Sequence, residues 1–236
     1  MRGITSKDSK IFHVNLLGCN NFTFDGINIK APRNSLNTEG IHIEKSTNIK
    51  ILDTKIGTGD DCISLGDGTK NVTVESLYCG PGGHGISVGS LGKFPNEEPV
   101  EGLFVKSCTL TNTDFGLRIK TWPDTPSTIT VTDLHFQDIL MINVKNPAFI
   151  DQEYCPWNQC TNKQNPSKIK ISKVTFKNIR GTSATQEGVV LNCSSVVPCE
   201  GVELTDVSLK FNGAAAMAKC VNVKPLLRGK APICTP

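Results

Sequence analysis

The chain has 236 residues, enough for one large domain or two small ones, and a formal net charge of +3 at pH 7. A charge this small, without basic clusters interleaved with aromatic residues, argues against a nucleic-acid partner. No stretch approaches the roughly 20 consecutive apolar residues that cross a bilayer, so we expect no membrane partner. A mildly basic surface suits an acidic polymer, although it is equally compatible with an ordinary soluble surface.

The ten cysteines indicate an oxidising compartment, and N-x-[ST] sequons at Asn21, Asn71 and Asn192 support secretion. A zinc module is not indicated, because no C-x-x-C pair occurs and only four histidines are present. The first residues, MRGITSKDSK, lack the apolar segment of a signal peptide. Either the chain is cytosolic or its true N-terminus is missing, and the cysteines favour the second interpretation.

Short alternating segments recur along the chain. One series consists of apolar-x-apolar triplets at 41–43, 63–65, 86–88 and 117–119, whose starts are 22, 23 and 31 residues apart. A second series reads NFTF at 21–24, NIKI at 48–51, NVTV at 71–74, GLFV at 102–105, KIKI at 168–171 and GVEL at 201–204. Several short strands per repeat, at a period in the twenties, are typical of a solenoid whose coils stack on one another.

A β-sandwich is the alternative architecture, but it needs tight hairpins between paired strands. The chain contains a single Asn-Gly, at 212–213. We therefore predict an all-β fold, a single-stranded parallel β-helix that forms one domain over residues 1–236. Insertions interrupt the period at 90–101, 121–128 and 151–167, and we expect these loops to form the walls of a binding face.

Charged residues recur at one phase of this repeat. Glu39, Asp61 and His84 each lie two residues before a triplet, so stacking roughly 4.8 Å apart predicts that they form one column, with Asp60 beside Asp61. On the next coil, Arg118 and Lys120 alternate outward. The predicted face therefore carries three carboxylates, one imidazole and two cations.

Carboxylates held this close repel one another, and at least one pKa should rise. Glycoside hydrolysis uses such a pair, with one protonated acid and one ionised base. Each residue also has a purely structural explanation: Asp60-Asp61 could form a turn, His84 could be a loop residue, and the cations could lie on a solvated strand face. Because all of them share one repeat phase, the catalytic interpretation is preferred.

Four short motifs in the chain resemble those of a known enzyme family. NTEG at 37–40, GDDC at 59–62, GHG at 83–85 and RIK at 118–120 resemble the signature motifs of the polygalacturonases, glycoside hydrolase family 28. Further segments resemble the plant pollen-type exopolygalacturonases: HGISVGSLG at 84–92, EEPVEG at 97–102, DQEYCPWNQC at 151–160 and RGTSAT at 180–185. The resemblance implies a right-handed, pectin-lyase-like β-helix. It also implies additional coils and a signal peptide upstream of Met1, and secretion to the cell wall.

The resemblance implies hydrolysis of α-1,4-galacturonosyl linkages in pectate with inversion, exo-acting by likeness to the pollen enzymes. Asp60 would be the general acid, Asp61 and Glu39 would activate the water, and His84 would tune the acid. Four further residues would bind the substrate: Arg118 and Lys120 at a galacturonate carboxylate, Tyr154 along the sugar, and Asn37. No metal or organic cofactor is implied, and we expect a monomer whose partner is polygalacturonic acid.

Two residues depart from the family pattern. Residue 39 is Glu where the family has Asp, and a misplacement of ~1 Å can cost roughly 100-fold in rate. GPGGHG contains one Gly more than the usual plant GPGHG, which bears on where the His84 imidazole lies. The alternative reading is therefore a catalytically impaired relative that retains the fold and pectate binding. A pectate lyase would need calcium-binding carboxylates and an arginine base, and the four motifs argue against it.

The cysteines pair most simply with near neighbours, as Cys62–Cys79, Cys155–Cys160, Cys193–Cys199 and Cys220–Cys234. The family resemblance supports the first of these pairs and the last two. Cys19 and Cys108 would then remain as buried thiols or form an unexpected pair, since connectivity is not deducible from sequence alone.

Overall fold

The computed structural model describes residues 1–235, and nearly all of its regular structure is β-strand. Within these residues the only helical element is a short 3-10 helix, Pro156–Asn158. No helix of the described chain is both long and apolar enough to cross a membrane. The strands wind around one core in three faces, and all but Ala214–Ala215 pair in parallel with their equivalents one coil away. The architecture is the predicted right-handed parallel β-helix.

The first face carries the candidate site and is a ladder of nine parallel strands. In stacking order these strands are Val14–Leu17, Ile41–Glu44, Asp61–Leu65, His84–Leu91, Phe115–Thr121, Asn146–Asp151, Glu187–Asn192, Met217–Val221 and Cys234–Thr235.

The other two faces are joined by two long strands, Thr130–Val144 and Lys170–Ser183, which bend around the corner between them. The second face also contains Asn20–Asp25, Thr47–Leu52, Lys70–Glu75, Val100–Lys106, Glu200–Thr205 and Leu226–Arg228. The third also contains Thr5–Lys7, Asn28–Lys30, Lys55–Gly57, Tyr78–Cys79, Thr109–Thr111 and Ser208–Phe211, whose last residues pair antiparallel with Ala214–Ala215.

The core follows from the alternation in each strand. Ile41 pairs with Ile63, Ile63 with Ile86, and Ile86 with Leu117, which confirms the predicted stacking of the triplets. These side chains are at most 1% exposed, because alternate residues of a strand point to the same side of the coil. Stacked apolar columns of this kind run the length of the solenoid and supply its main stabilisation.

The corners explain why Asn and Asp recur before the strands. Asn48 and Asn71 occupy equivalent corners with φ of 59° and 53°, a left-handed conformation that Asn tolerates better than most residues. Their side chains form a ladder: Asn71 Nδ2 donates to Asn48 Oδ1 at 3.3 Å, and Asn48 Nδ2 donates to Asn20 Oδ1 at 3.2 Å. The ladder satisfies polar groups where the chain turns from one face to the next.

One segment assigned from the repeats belongs to a different column than predicted. Val202 of the GVEL segment pairs with Val174, so the segment at 173–176, not KIKI at 168–171, belongs to that column. The insertion at 151–167 breaks the period just before it. In addition, the Asn-Gly at 212–213 does turn a small antiparallel hairpin, between Phe211 and Ala214.

All four predicted disulfides are present: Cys62–Cys79, Cys155–Cys160, Cys193–Cys199 and Cys220–Cys234. Cys108 is a buried thiol, while Cys19 is a partly exposed one. Burial raises the pKa of Cys108 to about 11, so this thiol stays protonated and unreactive at neutral pH.

The ring stack of Phe136 and Phe176 offers a direct test of the core. Their centroids lie 5.2 Å apart on adjacent coils, and both side chains are at most 1% exposed. Phe136→Ala should lower the free energy of unfolding by about 3–5 kcal/mol, because it leaves a cavity between two coils. Phe104→Ala, at a half-exposed ring on the same face, is the matched control and should cost clearly less. Equal losses in denaturant titrations would contradict this account of the core.

Candidate active site

Five successive coils bring the candidate residues to one cavity of about 530 Å³. His84 pairs with Asp61 in register, and Ile41 with Ile63, which aligns residue 39 with both as predicted. The cavity is lined by seven of the eight predicted site residues: Asn37, Glu39, Asp60, Asp61, His84, Lys120 and Tyr154. Asp61 and Lys120, which are 59 positions apart in sequence, thus meet at a single site.

Asp61 is the centre of the polar contacts. It is 2% exposed, and its Oδ2 accepts a hydrogen bond from Lys120 Nζ at 3.0 Å. Its Oδ1 accepts one from Ser87 Oγ at 2.5 Å and lies 3.3 Å from His84 Nδ1. Burial opposes ionisation, but Lys120, His84 and Ser87 together hold the pKa of Asp61 well below its usual value. Asp61 is therefore a permanent carboxylate at this site.

His84 lies between the two aspartates. Its Nδ1 is 3.2 Å from Asp60 Oδ1 and 3.3 Å from Asp61 Oδ1, at ion-pair distance from both carboxylates. Burial alone would lower the pKa of His84, but these two carboxylates outweigh it and raise the pKa to about 9. At neutral pH the ring is an imidazolium whose Nδ1 proton faces Asp60 and Asp61.

Asp60, Asp61 and His84 each offer one ligand atom within 4.8 Å of the others, a spacing that suits a divalent cation. A metal ligand must however be a neutral imidazole, whereas this ring carries a proton between the carboxylates. A metal ion at this position would have to displace that proton.

Glu39 is the third carboxyl group of the cavity. Burial and the neighbouring carboxylates of Asp60 and Asp61 raise the pKa of Glu39 to about 7. Its Oε2 is buried and has no hydrogen-bond partner among the described residues. An unpaired carboxylate oxygen that borders a cavity is free to accept a hydrogen bond from a water or a ligand.

Backbone packing fixes the two motifs that carry these groups. Thr38 is buried, and its hydroxyl accepts the Gly59 N–H at 3.0 Å, which ties the loop of Glu39 to the loop of Asp60. Gly83 has φ +34°, and a Cβ there would overlap the backbone of Asp60. His84 N donates to Asp60 O at 3.0 Å. The additional glycine thus lets the turn close on Asp60, and the imidazole stays in contact with both aspartates.

The two cations do not form a solvated strand face, which was the alternative to a binding role. Lys120 and Arg118 are each 7% exposed. Arg118 Cζ lies 3.8 Å from the ring centroid of Phe115 and 5.0 Å from that of Tyr154, and Arg118 does not line the cavity. The reason is that aromatic residues of this coil and the next cover the strand. A direct contact of Arg118 with substrate stays a prediction.

Tyr154 and Asn37 both line the cavity. Tyr154 packs edge-on against Trp122 at 5.4 Å between ring centroids, and Lys120 Nζ lies 5.6 Å from its ring. Asn37 is exposed at the cavity rim, with φ of 53°. A contact of either residue with substrate stays a prediction.

Three polar residues of the site were not predicted. They are the middle residues of the triplets: Ser87, which binds Asp61, and the pair His42 and Ser64, joined at 2.7 Å between His42 Nδ1 and Ser64 Oγ. The signal was present, because the middle residue of every triplet points outward on the same face. Two exposed aromatic residues from the inserted loops, Phe94 and Trp157, also border the cavity.

The arrangement has the elements of general acid–base chemistry. It combines a fixed carboxylate, a carboxyl group that titrates near neutrality, and an imidazolium that can exchange a proton with Asp60. Lys120 neutralises part of the negative charge. Together these groups can deliver a proton to one atom of a ligand while accepting one from a water.

The raised pKa of Glu39 gives a test that needs no substrate. In the unfolded chain Glu39 titrates near 4.5, whereas in the folded chain its pKa is about 7. Between these values the folded chain holds a proton that the unfolded chain releases, so stability falls as pH rises. Glu39→Gln cannot ionise and should therefore be more stable than the parent above pH 7, with the difference shrinking as the pH falls from 7 to 4.5.

Thermal unfolding across this pH range measures the effect. Glu101→Gln, at an exposed glutamate on the second face, is the control and should show no difference that grows with pH. A Glu39→Gln difference that is constant across the range would mean that this carboxyl group is not perturbed by folding.

Comparisons with known proteins identify the family of this chain. Residues 1–234 match the profile of "Glycosyl hydrolases family 28". The chain is 68% identical over 234 residues to a "Polygalacturonase" of Medicago sativa, which covers 99% of this chain and 55% of that protein. It is 53% identical over 232 residues to an "Exopolygalacturonase" of Oenothera organensis, covering 98% of this chain and 63% of that protein. The chain thus spans somewhat more than half the length of these curated relatives.

Solved structures give the same result for the fold. The endo-xylogalacturonan hydrolase from Aspergillus tubingensis superimposes with a TM-score of 0.86 at 26% identity, over 99% of this chain and 64% of that chain. The polygalacturonase from Erwinia carotovora superimposes with a TM-score of 0.71 at 26% identity, over 95% of this chain and 56% of that chain. On the family profile, the identities and the shared fold, this chain belongs to the glycosyl hydrolases of family 28.

Proposed function

We propose that this protein hydrolyses the α-1,4-D-galacturonosyl linkages of pectate, with inversion at the anomeric carbon. The observation that carries the proposal is the Asp60–His84–Asp61 cluster beside Lys120, in a cavity that also contains Glu39. Family membership and the relatives named polygalacturonase support the same reaction.

In this mechanism Asp60 is the general acid and protonates the glycosidic oxygen. His84 lies 3.2 Å from Asp60 Oδ1 and, as an imidazolium, can hold this carboxyl group in position. General acid catalysis of this kind contributes typically 10²–10⁴-fold, and geometry matters before pKa. His84 therefore acts as a positioning residue for the acid, and Asp60 takes up a proton from solvent between turnovers.

Asp61 and Glu39 activate the attacking water. Asp61 is held ionised by Lys120, and Glu39 keeps an unpaired oxygen in the cavity. An inverting enzyme needs this second carboxylate on the far side of the sugar, with room for a water between acid and base. Because the pKa of Glu39 is about 7, its contribution as a base grows as the pH rises towards neutrality.

The substrate is proposed to enter as an anionic polymer. Lys120 Nζ, which contacts Asp61, would also pair with a galacturonate carboxylate, and Tyr154 would line the sugar. Asn37 would contact the same unit from the rim. Arg118 would support Tyr154 through the contact between guanidinium and ring, besides any direct contact with substrate.

We further propose exo-action and secretion to the cell wall. The exopolygalacturonase name of a relative at 53% identity supports attack at the chain end. Four disulfides support an extracellular location, since such bonds persist in oxidising compartments. The position of His84 between both aspartates speaks against a catalytically impaired protein.

Asp60→Asn tests the acid. It removes the proton donor but keeps the shape of the side chain, so kcat on polygalacturonate should fall by about 10²–10⁴-fold. Reducing-end release measures the rate, monogalacturonate as the first product would report exo-action, and NMR of the nascent anomer would report inversion. Asp133→Asn, at a carboxylate on the second face, is the matched control and should keep full activity. An active Asp60→Asn chain would refute the assigned acid.

Glu39→Asp tests the residue that departs from the family pattern. Glu keeps the base function but extends about one ångström beyond Asp, so the shorter side chain should raise kcat with little change in KM. Deleting Gly83, alone and together with Glu39→Asp, separates the effect of the longer side chain from that of the added glycine. If Glu39→Asp lowers kcat instead, the surrounding backbone is adapted to Glu.

A further inference from the structure

Two inserted loops place aromatic rings in solvent beside the catalytic cavity. Trp157 is 81% exposed and Phe94 is 61% exposed, and both line the cavity that holds Asp60 and Asp61. Neither ring contributes to the core. Large exposed apolar side chains that border a cleft typically mark a binding surface.

Both loops are held in place by local bonds. Trp157 lies within the ring closed by Cys155–Cys160, and its backbone has φ of 53°, uncommon for a bulky residue. In the other loop the Glu97 carboxylate accepts the N–H groups of Gly92, Lys93 and Phe94, at 2.5, 2.9 and 2.9 Å. Fixing an exposed aromatic ring in advance reduces the entropy lost when a ligand packs on it.

A cation lies beside one of these rings, that of Phe94. Lys93 is exposed, and its Nζ is 5.4 Å from the ring centroid of Phe94 and 5.0 Å from that of Trp122. None of the ion pairs within residues 1–235 includes Lys93. Lys93 and Cys160 also line one small cavity, so the two loops adjoin.

We propose that Trp157 and Lys93 form a further galacturonan subsite, outside the unit that is cleaved. The indole packs against the apolar face of one sugar, and the ammonium group pairs with a carboxylate of the polymer. Each galacturonate unit offers one such face and one such carboxylate, which matches the exposed indole of one loop and the unpaired ammonium group of the adjoining loop. The inference rests on the proposed function, because the polymer reaches this subsite from the catalytic cavity.

Two tryptophans make contact with the ligand observable. Trp122 is 8% exposed and Trp157 is 81% exposed, so quenching by iodide reports mainly Trp157. In the Asp60→Asn chain, which should bind without turnover, pentagalacturonate should shift the emission to shorter wavelength and protect it from iodide. Monogalacturonate, which should occupy only the catalytic unit, should leave Trp157 open to quenching.

Calorimetric titration of the same Asp60→Asn chain measures affinity. Trp157→Ala should weaken pentagalacturonate binding roughly tenfold, or ~1.4 kcal/mol, and leave monogalacturonate binding unchanged. Lys93→Ala should weaken it about threefold, as expected for a solvated ion pair, and should have no effect on the methyl-esterified pentamer. The matched controls are Phe104→Ala and Lys50→Ala, an exposed ring and an exposed lysine on the second face.

Unchanged pentagalacturonate affinity in Trp157→Ala, in a chain whose Asp60-containing form hydrolyses polygalacturonate, would overturn the subsite alone. A chain that neither hydrolyses polygalacturonate nor binds pentagalacturonate would overturn the proposed function and the subsite with it. Melting temperatures equal to the parent value would show that the exposed variants are folded.

Discussion

Parallel pairing between successive coils is the constraint on which every feature of the site depends. Each coil repeats the backbone of the previous one at the strand spacing of about 4.8 Å, so side chains at equal phase face the same way at nearly equal height. Asp61 and Lys120 are therefore in contact although 59 positions separate them. A slip of one residue in any coil would turn its functional side chains into the core and its apolar ones outward.

That pairing also makes it possible to keep several carboxylates together. A fully buried Asp61 would be strongly unfavourable by itself, since an unpaired charge in the interior costs several kcal/mol. Lys120 and Ser87, on the two coils that follow, contribute a charge and a hydroxyl to it. Once Asp61 is held ionised, its field helps to hold the proton on His84 and on Glu39. The ionised Asp61 thus contributes to the protonation of His84 and Glu39.

The sequence was sufficient to predict what repeats. The triplets at 41–43, 63–65 and 86–88 share a regular step, so their stacking and the alignment of Glu39, Asp61 and His84 could be predicted from spacing. The disulfides follow from proximity along the chain and from family resemblance. The phase of 168–171 was misassigned because the insertion before it has no fixed length.

Contacts between side chains of different coils were harder to predict. The burial of Arg118 depends on Phe115 and Tyr154, whose rings cover it from positions that the repeat does not specify. The effect of the additional glycine likewise depends on how closely Gly83 packs on the backbone of Asp60, which no one-dimensional pattern reveals.

The distinction between regular strands and inserted loops also separates the proposed acid–base residues from those that would select a ligand. The acid–base residues lie on or directly before strands of the first face, where the register fixes their distances and leaves little freedom for change. The inserted loops are not subject to that register, because they leave the ladder and are held by their own bonds: the Glu97 carboxylate in one loop and Cys155–Cys160 in the other. Loops can therefore vary in length and composition without disturbing the catalytic distances. Differences in substrate among proteins with this fold should arise in these loops, whereas in the proposed mechanism Asp61, His84 and Lys120 serve the hydrolysis itself.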